Sequence, residues 1–248
     1  MCDSCGCGDP EIVTVEIQER ILAGNARTAA HNREHFAAHG VLAVNLMGSP
    51  GSGKTALIEA TARAYAARGE APRIGALSGD LDTDLDGERL RAAGIPALTI
   101  TTGSACHLDA KLVHQALHRM RDWHDLDILF IENVGNLVCP AVYDLGQTVN
   151  VVALSVTEGA DKPLKYPVIF RVADAVALTK IDLLPHLPEV DLDQIARALA
   201  RTMPEPRSFA ISARDGSGVP AWIDWLEAKR VKAPVISVRA LAEASHGH

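Results

Sequence analysis

The chain has 248 residues, of which 48% are hydrophobic and 4% aromatic, and its formal net charge is -7. This length fits one domain with short appendages, and a core of aliphatic side chains suits an α/β protein. The negative charge argues against general nucleic-acid binding, which requires a basic surface. No run of about 18 apolar residues and no basic leader followed by an apolar segment is present, so we expect a cytoplasmic protein with no membrane span.

The chain divides into four predicted parts. Residues 1–10 (MCDSCGCGDP) are predicted to be a flexible metal-binding tail, and residues 11–40 a helical segment that ends at Gly40. Residues 231–248 form a C-terminal tail without a readable pattern. Between these parts, residues 41–230 alternate between strands and helices, which predicts a three-layer α/β fold with a mainly parallel central sheet and helices on both faces. The predicted strands are 41–47, 73–77, 98–101, 128–132, 149–156, 175–178 and 209–211, and the main helices are 56–68, 110–122, 191–203 and 221–229.

A phosphate-binding loop follows the first predicted strand. The sequence GSPGSGKT at 48–55 matches the complete P-loop pattern, and a helix follows it. Successive backbone N–H groups and the helix N-terminus would surround the phosphates, Lys54 would reach the β- and γ-phosphates, and Thr55 would bind Mg²⁺. The chain is thus predicted to have a P-loop NTPase fold. The expected nucleotide contacts here are Gly48, Ser49, Gly51, Ser52, Gly53, Lys54, Thr55 and Ala56.

Two downstream motifs favour guanine over adenine. Thr179-Lys180-Ile181-Asp182 follows a strand at the position where many GTPases carry Asn-Lys-x-Asp. Asp182 would accept hydrogen bonds from the N1–H and exocyclic amine of guanine, a donor pair that adenine lacks, while Lys180 packs along the base. Ser212 and Ala213 resemble the Ser-Ala loop that supports the base. The motifs predict GTP and GDP as ligands and a GTPase reaction.

Acidic residues at two strand ends are candidate Mg²⁺ ligands. Asp80 follows the second strand, in an acidic loop with Asp82 and Asp84, and Glu132 ends an apolar strand. A carboxylate at the end of a buried strand is costly without a partner such as a cation. The predicted Mg²⁺ shell is Thr55, Asp80 and Glu132, and the predicted catalytic residues are Lys54, Thr55, Asp80 and Glu132.

The cysteines fall into two groups. Cys2, Cys5 and Cys7 place three thiols within six residues, which suits Ni²⁺, Zn²⁺ or Cu⁺, with the fourth ligand left open among the chain's amine, a backbone nitrogen and a partner. Cys106, His107 and Cys139 lie in two loops that leave the carboxyl ends of strands, so they can meet near the nucleotide and bind Zn²⁺ or Ni²⁺. Taken singly, each of these three is better explained by ordinary packing, since free cysteines are often buried. Three ligands leave a site open, which makes pairing between two subunits plausible.

A separate set of histidines, His31, His35 and His39, is spaced by four residues and therefore shares one helical face. This stripe is interpreted as a solvated or subunit-facing surface, with a metal-binding face as the alternative.

Taken together, these motifs resemble the HypB family, the GTPases that deliver nickel during [NiFe]-hydrogenase maturation. The resemblance covers nearly the whole chain and rests on CxxCGC, GSPGSGKT, GDLDTDLDGERL, GSACHLDA, ENVGNLVCP, EGADKPLKYP and TKIDLLP. It implies a dimerising P-loop GTPase in which GTP stabilises a homodimer. It also implies a tight nickel site at Cys2, Cys5 and Cys7, and a weaker nickel or zinc site at Cys106, His107 and Cys139 near the dimer interface.

Other implications of the resemblance concern partners. The loop at 158–167 would lie near the base and the partner subunit, with Lys162 or Lys165 as contacts. The implied partners are a small zinc-binding maturation protein, the hydrogenase large-subunit precursor and a prolyl-isomerase nickel chaperone. Two departures stand out: Thr179 replaces the usual Asn, and no histidine-rich insert follows Cys7.

The functional hypothesis is a GTP-hydrolysing nickel metallochaperone. Because Glu132 and Cys139 lie on one segment, phosphate chemistry could move a metal ligand and change metal affinity or dimerisation. Three alternatives stay open: a nickel store or sensor with a structural nucleotide site, a urease-type nickel-insertion GTPase, and a P-loop kinase.

Overall fold

The structure, a computed structural model, describes residues 10–69, 72–103 and 105–230, with backbone alone for 10–18. The thiol cluster of Cys2, Cys5 and Cys7 and the predicted C-terminal tail lie outside the described residues. Within them, no helix is both long enough and apolar enough to cross a membrane.

Seven parallel strands form one sheet. In sheet order they run β3-β2-β4-β1-β5-β6-β7. Their bounds are β1 Leu42–Gly48, β2 Ile74–Asp80, β3 Ala97–Thr101, β4 Ile128–Glu132, β5 Val149–Ser155, β6 Ala175–Thr179 and β7 Ser208–Ile211. The predicted three-layer parallel architecture is confirmed, and each predicted strand is present with ends that shift by a few residues. Because β1 is central, its carboxyl end and those of β4 and β5 meet at one edge, where the P-loop begins.

Helices cover both faces of the sheet. Their bounds are α1 Pro10–His39, α2 Lys54–Ala67, α3 Leu85–Ala92, α4 Ala110–Arg119, α5 Lys162–Lys165, α6 Pro167–Arg171, α7 Leu192–Thr202 and α8 Val219–Arg230. Alternate residues of β1 serve the two faces. Val44 faces the core shared with α2 and α8, which contains the fully buried Trp222, whereas Ala43 faces α1 and α4. This period-two alternation in aliphatic strands gives two cores with few aromatic side chains.

Three helix ends differ from the sequence-based expectation by two or more residues, and one of them is the start of α8 at Val219 rather than at residue 221. The P-loop helix begins at Lys54, two residues earlier than predicted, because the left-handed Gly53 (φ 92°) turns the chain directly into it. Helix α4 ends at Arg119 rather than near Asp122, and Asp122 adopts a left-handed conformation (φ 60°) before a short 3₁₀ turn. At the end of α1, Gly40 (φ 66°) stops the helix as expected.

Candidate functional site

The P-loop joins the end of β1 to the start of α2. Gly51 and Gly53 take positive φ values of 72° and 92°, which β-carbon-bearing residues rarely adopt, so backbone N–H groups can turn toward one cleft. Lys54 is 7% exposed, and its Nζ donates to the carbonyl oxygens of Gly48 (3.4 Å) and Ser49 (3.2 Å). Burial lowers the pKa of Lys54, and the nearby Glu132 opposes this shift. The loop therefore holds a buried cation at the helix N-terminus, the arrangement that binds phosphates.

A cluster of three oxygen-bearing side chains lies beside Lys54. The hydroxyl Oγ1 of Thr55 is 2.8 Å from Glu132 Oε1 and 2.9 Å from Asp86 Oδ1. Glu132 is 3% exposed, and burial raises its carboxyl pKa to about 7, although Lys54 acts in the opposite direction. Its second oxygen, Oε2, is buried without a hydrogen-bond partner among the described residues. An all-oxygen donor set with one unpartnered buried carboxylate oxygen fits Mg²⁺.

Asp80 lines the same cleft as Lys54 and Thr55, and its side chain contacts the backbone of its own loop. Its Oδ1 accepts the backbone N–H groups of Asp82 and Thr83, both at 3.0 Å. Burial alone would raise the pKa of Asp80, but these N–H donors outweigh it and lower the pKa. Asp80 thus shapes the turn into α3, and the aspartate in contact with Thr55 is Asp86. Asp82 and Asp84 are exposed, and Asp84 pairs with Arg91 and with Thr99.

The predicted base-reading residues meet at an adjoining cleft. Lys180, Asp182 and Ala213 line it together with Gly53 and Ala56 of the P-loop helix start. Lys180 has a left-handed backbone (φ 61°), and its Nζ donates to Gly51 O at 2.7 Å. Thr179, in place of the usual Asn, donates its hydroxyl to Ser52 O at 2.5 Å, so it ties β6 to the P-loop.

Side-chain and backbone contacts hold the rest of this base-reading edge. Ser212 is fully buried, and its Oγ accepts the N–H of Asp215. The carbonyl of Ala213 accepts from Arg63 of α2 at 2.7 Å. On the opposite side of the loop, Ser49 donates to Glu158 at 2.6 Å, which links the P-loop to the 158–167 segment.

Cys106 and His107, in the loop before α4, lie close to Cys139, in the loop after β4. Cys106 Sγ lies 3.0 Å from Cys139 Sγ and 3.9 Å from His107 Nδ1, and donor atoms of all three lie within 4.8 Å of one another. Tyr143 stacks on the His107 ring with centroids 3.9 Å apart. The contact with Cys106, together with burial, raises the pKa of Cys139, and burial lowers the pKa of His107. Two thiols and a neutral imidazole fit a borderline metal such as Ni²⁺ or Zn²⁺.

One segment, residues 132–139, connects this trio to the P-loop. The N–H of Asn136 donates to Gly48 O at 3.1 Å, and a β-carbon at Gly135 would meet Pro50 atoms at 2.8 to 3.0 Å. The Asn136 side-chain amide also donates to Cys106 O at 3.3 Å. The segment is therefore packed against the phosphate loop at one side and hydrogen-bonded to the metal-site loop at the other.

A buried amide makes a second connection between the two sites. Asn133 directly follows Glu132, and its Oδ1 accepts the N–H of Leu108, the residue after His107, at 3.1 Å. Its Nδ2 donates to Asn45 of β1 at 3.2 Å. Both loops that carry the metal-site side chains are thus held to the strand end that carries Glu132.

Comparison with known proteins agrees with this geometry. Residues 42–208 match the sequence profile of the CobW/HypB/UreG nucleotide-binding domain. The chain is 45% identical, over 93% of its length and 75% of the relative's, to the hydrogenase maturation factor HypB of Azotobacter vinelandii. The chain belongs to the HypB family.

Two solved HypB structures share the fold. That of Helicobacter pylori HypB in complex with nickel superposes with a TM-score of 0.78 and 38% identity, covering 84% of this chain and 96% of that one. That of Archaeoglobus fulgidus HypB gives a TM-score of 0.75 and 41% identity, covering 84% and 99%. As a member of the HypB family, the chain is a P-loop GTPase.

Sequence reasoning missed three residues that lie at these candidate sites. Asp86 lies in the quoted GDLDTDLDGERL motif, and Arg89, one helical turn later, lines both clefts and pairs with Glu59 at 2.7 to 2.8 Å. The third is Asn136, whose amide bridges the two metal-site loops. The spacing of Asp86 and Arg89 on one face of a short helix was a usable signal, whereas nothing local marks Asn136.

Proposed function

We propose that the chain is a GTP-hydrolysing nickel metallochaperone for [NiFe]-hydrogenase maturation, acting in the cytoplasm. One observation carries this proposal: residues 132–139 begin at the buried carboxylate beside Thr55 and end at the thiol beside Cys106 and His107. A chemical change at the phosphate therefore has a short covalent path to a ligand of the cargo ion.

In this proposal the phosphate side positions GTP and stabilises charge. Lys54 and the N–H groups around Gly51 and Gly53 hold the β- and γ-phosphates, while Asp182 selects guanine. Thr55, Glu132 and Asp86 would hold Mg²⁺, which supplies positive charge against the phosphate oxygens when bound. The unpartnered Oε2 of Glu132 supports this assignment.

On the metal side, Cys106, His107 and Cys139 would take Ni²⁺ as cargo, with Zn²⁺ as a competitor. Movement of Glu132 with the state of the nucleotide would pass through Asn133 to Leu108, and through Gly135 and Asn136 to Cys139. A coupling of about 1–3 kcal/mol, equivalent to about a 5- to 150-fold change in affinity, is enough for loading and release.

The exposed side of the metal site supports a homodimer. Among the residues that the structure describes, only three ligand side chains converge there, which leaves coordination positions open for a partner. Val138 and Val142, on either side of the turn that carries Cys139, are 56% and 48% exposed. Helix α6 packs beside this turn. Val168 of this helix and Val172, which follows it, are also exposed apolar side chains. We propose that GTP favours pairing of two copies through this region.

Further partners follow from a role in hydrogenase maturation. The proposed recipients and donors are a small zinc-binding maturation protein, the hydrogenase large-subunit precursor and a prolyl-isomerase nickel chaperone. The proposed tight nickel site at Cys2, Cys5 and Cys7 would store the ion before transfer.

The decisive experiment measures nickel affinity of the Cys2/Cys5/Cys7→Ser variant, in which the remaining thiols are Cys106 and Cys139. Affinity is measured by chelator competition with Mg²⁺ and either GDP or a non-hydrolysable GTP analogue. We expect affinities that differ at least fivefold and a larger oligomer with the analogue. Equal affinities and one unchanged oligomeric state would disprove the coupling. GTP turnover in the wild type that is lost in Lys54→Ala excludes a store with a merely structural nucleotide site.

A further inference from the structure

We propose that four histidines on α1 and α4 form two additional, adjacent subsites, each for one borderline divalent transition ion and separate from both thiol sites. We call this set, His31, His35, His114 and His118, the imidazole face. It goes beyond the proposed GTP-dependent function, because neither GTP nor any cysteine takes part in it.

The structure brings together residues far apart in the chain. His31 and His35 lie one turn apart on α1, and His114 and His118 lie one turn apart on α4, which packs against α1. The rings of His31 and His114 are 5.1 Å apart between centroids. The α1 histidine stripe, interpreted from sequence as solvated or subunit-facing, therefore continues onto a second helix of the same chain.

Each pair presents its ring nitrogens at a chelating distance. The Nε2 atoms of His31 and His35 are 3.0 Å apart, and so are those of His114 and His118. Two imidazole nitrogens bound about 2.1 Å from an ion at a right angle lie about 3.0 Å from each other. The spacing of either pair therefore matches two adjacent positions of a six-coordinate ion.

A buried amide fixes the tautomer of His114. Asn32 is fully buried, and its Nδ2 donates to the carbonyls of Ala110 (2.9 Å) and Leu145 (3.0 Å), which leaves its Oδ1 to face His114 Nδ1 at 3.1 Å. Because Asn32 Oδ1 can only accept a hydrogen bond, His114 Nδ1 must carry the proton. In the neutral ring, His114 Nε2 therefore carries the lone pair. A second partner of this kind is a regular feature of metal-binding histidines.

The same deduction accounts for the proton in the metal-free pair. His118 Nε2 must donate to His114 Nε2, and binding an ion requires only that His118 move its proton to Nδ1. Burial, followed by the neighbouring histidines, lowers the pKa of both His35 and His114, which favours the neutral rings that metals bind.

The distances between donor atoms also limit how many side chains of the imidazole face can bind one ion. Among the described residues, three donors within 4.8 Å occur only at Cys106, His107 and Cys139 and at the exposed Asp122, His124 and Asp125. Each imidazole pair is therefore a two-nitrogen subsite whose other positions are filled by water. Such open coordination gives weaker and faster binding than the thiolate sites, which suits a surface that collects cargo ions.

Trp123 provides a reporter for this face. Its ring is 6.2 Å from His35 and 5.3 Å from His39 between centroids, whereas Trp222 and Trp225 lie on α8 and pack into a different core cluster. A paramagnetic ion at His31 and His35 should quench Trp123 and leave the other two tryptophans unaffected.

The test uses the full chain with all five cysteines changed to serine, so that imidazoles are the strongest remaining ligands. Ni²⁺ binding is measured by equilibrium dialysis and by tryptophan quenching in this parent, in His31→Gln/His35→Gln, in His114→Gln/His118→Gln and in the fourfold variant. His186→Gln, an exposed histidine far along the chain, is the matched control. Thermal melts and GDP binding establish that each variant is folded.

We expect each double substitution to remove about one bound ion, as two adjacent chelating pairs predict, and the control to bind as the parent does. Quenching should fall most in the His31/His35 variant. If only one double substitution removes an ion, that pair is the site and the other pair is excluded. Nickel binding by the folded fourfold variant equal to that of the parent would overturn the proposal.

Discussion

The two ends of the 132–139 segment have different surroundings. Glu132 is 3% exposed and sits among Lys54, Thr55 and Asp86, whereas Cys139 is half-buried and its neighbour Val138 is 56% exposed. A buried end suits phosphate chemistry, because fixed charges act more strongly where water is excluded. An exposed end suits cargo transfer, because an ion that must be handed on needs open coordination positions. The segment therefore joins a buried site to a more accessible one.

The largest expected effect tests the buried end of the segment, beside Lys54. Lys54→Ala should lower GTP turnover by about 10²–10³-fold, the usual effect of removing one group that stabilises transition-state charge. Nickel affinity without nucleotide should stay the same, because Lys54 contacts no metal-site residue. Phosphate release and chelator competition measure the two effects. Nickel affinity that falls together with turnover would mean that the two ends do not act as separate sites.

At the accessible end, Asn136→Ala should weaken nickel binding at Cys106, His107 and Cys139 by about 10- to 100-fold, the range for outer-sphere partners of a metal site. The substitution removes the amide contact to Cys106 O, whereas the hydrogen bond to Gly48 uses the backbone N–H and survives. The measurement is nickel affinity in the Cys2/Cys5/Cys7→Ser background. Gln115→Ala, an exposed amide on α4, is the control.

Nickel binding at the same end should depend on pH. The contact with Cys106 and burial raise the pKa of Cys139, so its thiol is protonated near neutral pH and an incoming ion must displace that proton. Affinity should therefore fall as pH falls, by about tenfold per pH unit for each displaced proton. Titrations between pH 6.5 and about 8.5 measure the slope. A flat profile would show that Cys139 is not a thiolate ligand.

The smallest expected effect tests the role of Asp86. Asp86→Asn should raise the Mg²⁺ concentration needed for half-maximal turnover by about two- to fivefold, since this half-buried carboxylate is worth about 0.5–1 kcal/mol. Asp80→Asn is the comparison, because Asp80 holds the turn and does not touch Thr55. A larger Mg²⁺ effect in Asp80→Asn would favour Asp80, as predicted from sequence, over Asp86 as the Mg²⁺ ligand.

Most of the fold was predictable because each signal was local. Aliphatic runs predicted the strands, and the glycine-rich P-loop pattern predicted the turn between a strand and a helix. Asp86 was missed because four aspartates lie between 80 and 86, and the one that meets Thr55 depends on how the Asp80 turn directs α3. The imidazole face was missed because His31 and His114 become neighbours only through helix packing. Cys106 and Cys139 were paired correctly, since both loops leave the same edge of a parallel sheet.

The hydrogen bond from Thr179 to Ser52 O has a consequence for substrate selection. It joins the strand that carries the proposed base-reading loop to the P-loop, and Lys180 adds a second link through Gly51 O. The spacing between the two halves of the ligand is thereby set by the protein before any ligand arrives. Because these two hydrogen bonds fix the distance between the clefts, we expect weak binding of a guanine nucleotide whose link between base and triphosphate is longer or shorter. This should hold even when its base and its triphosphate are both unchanged.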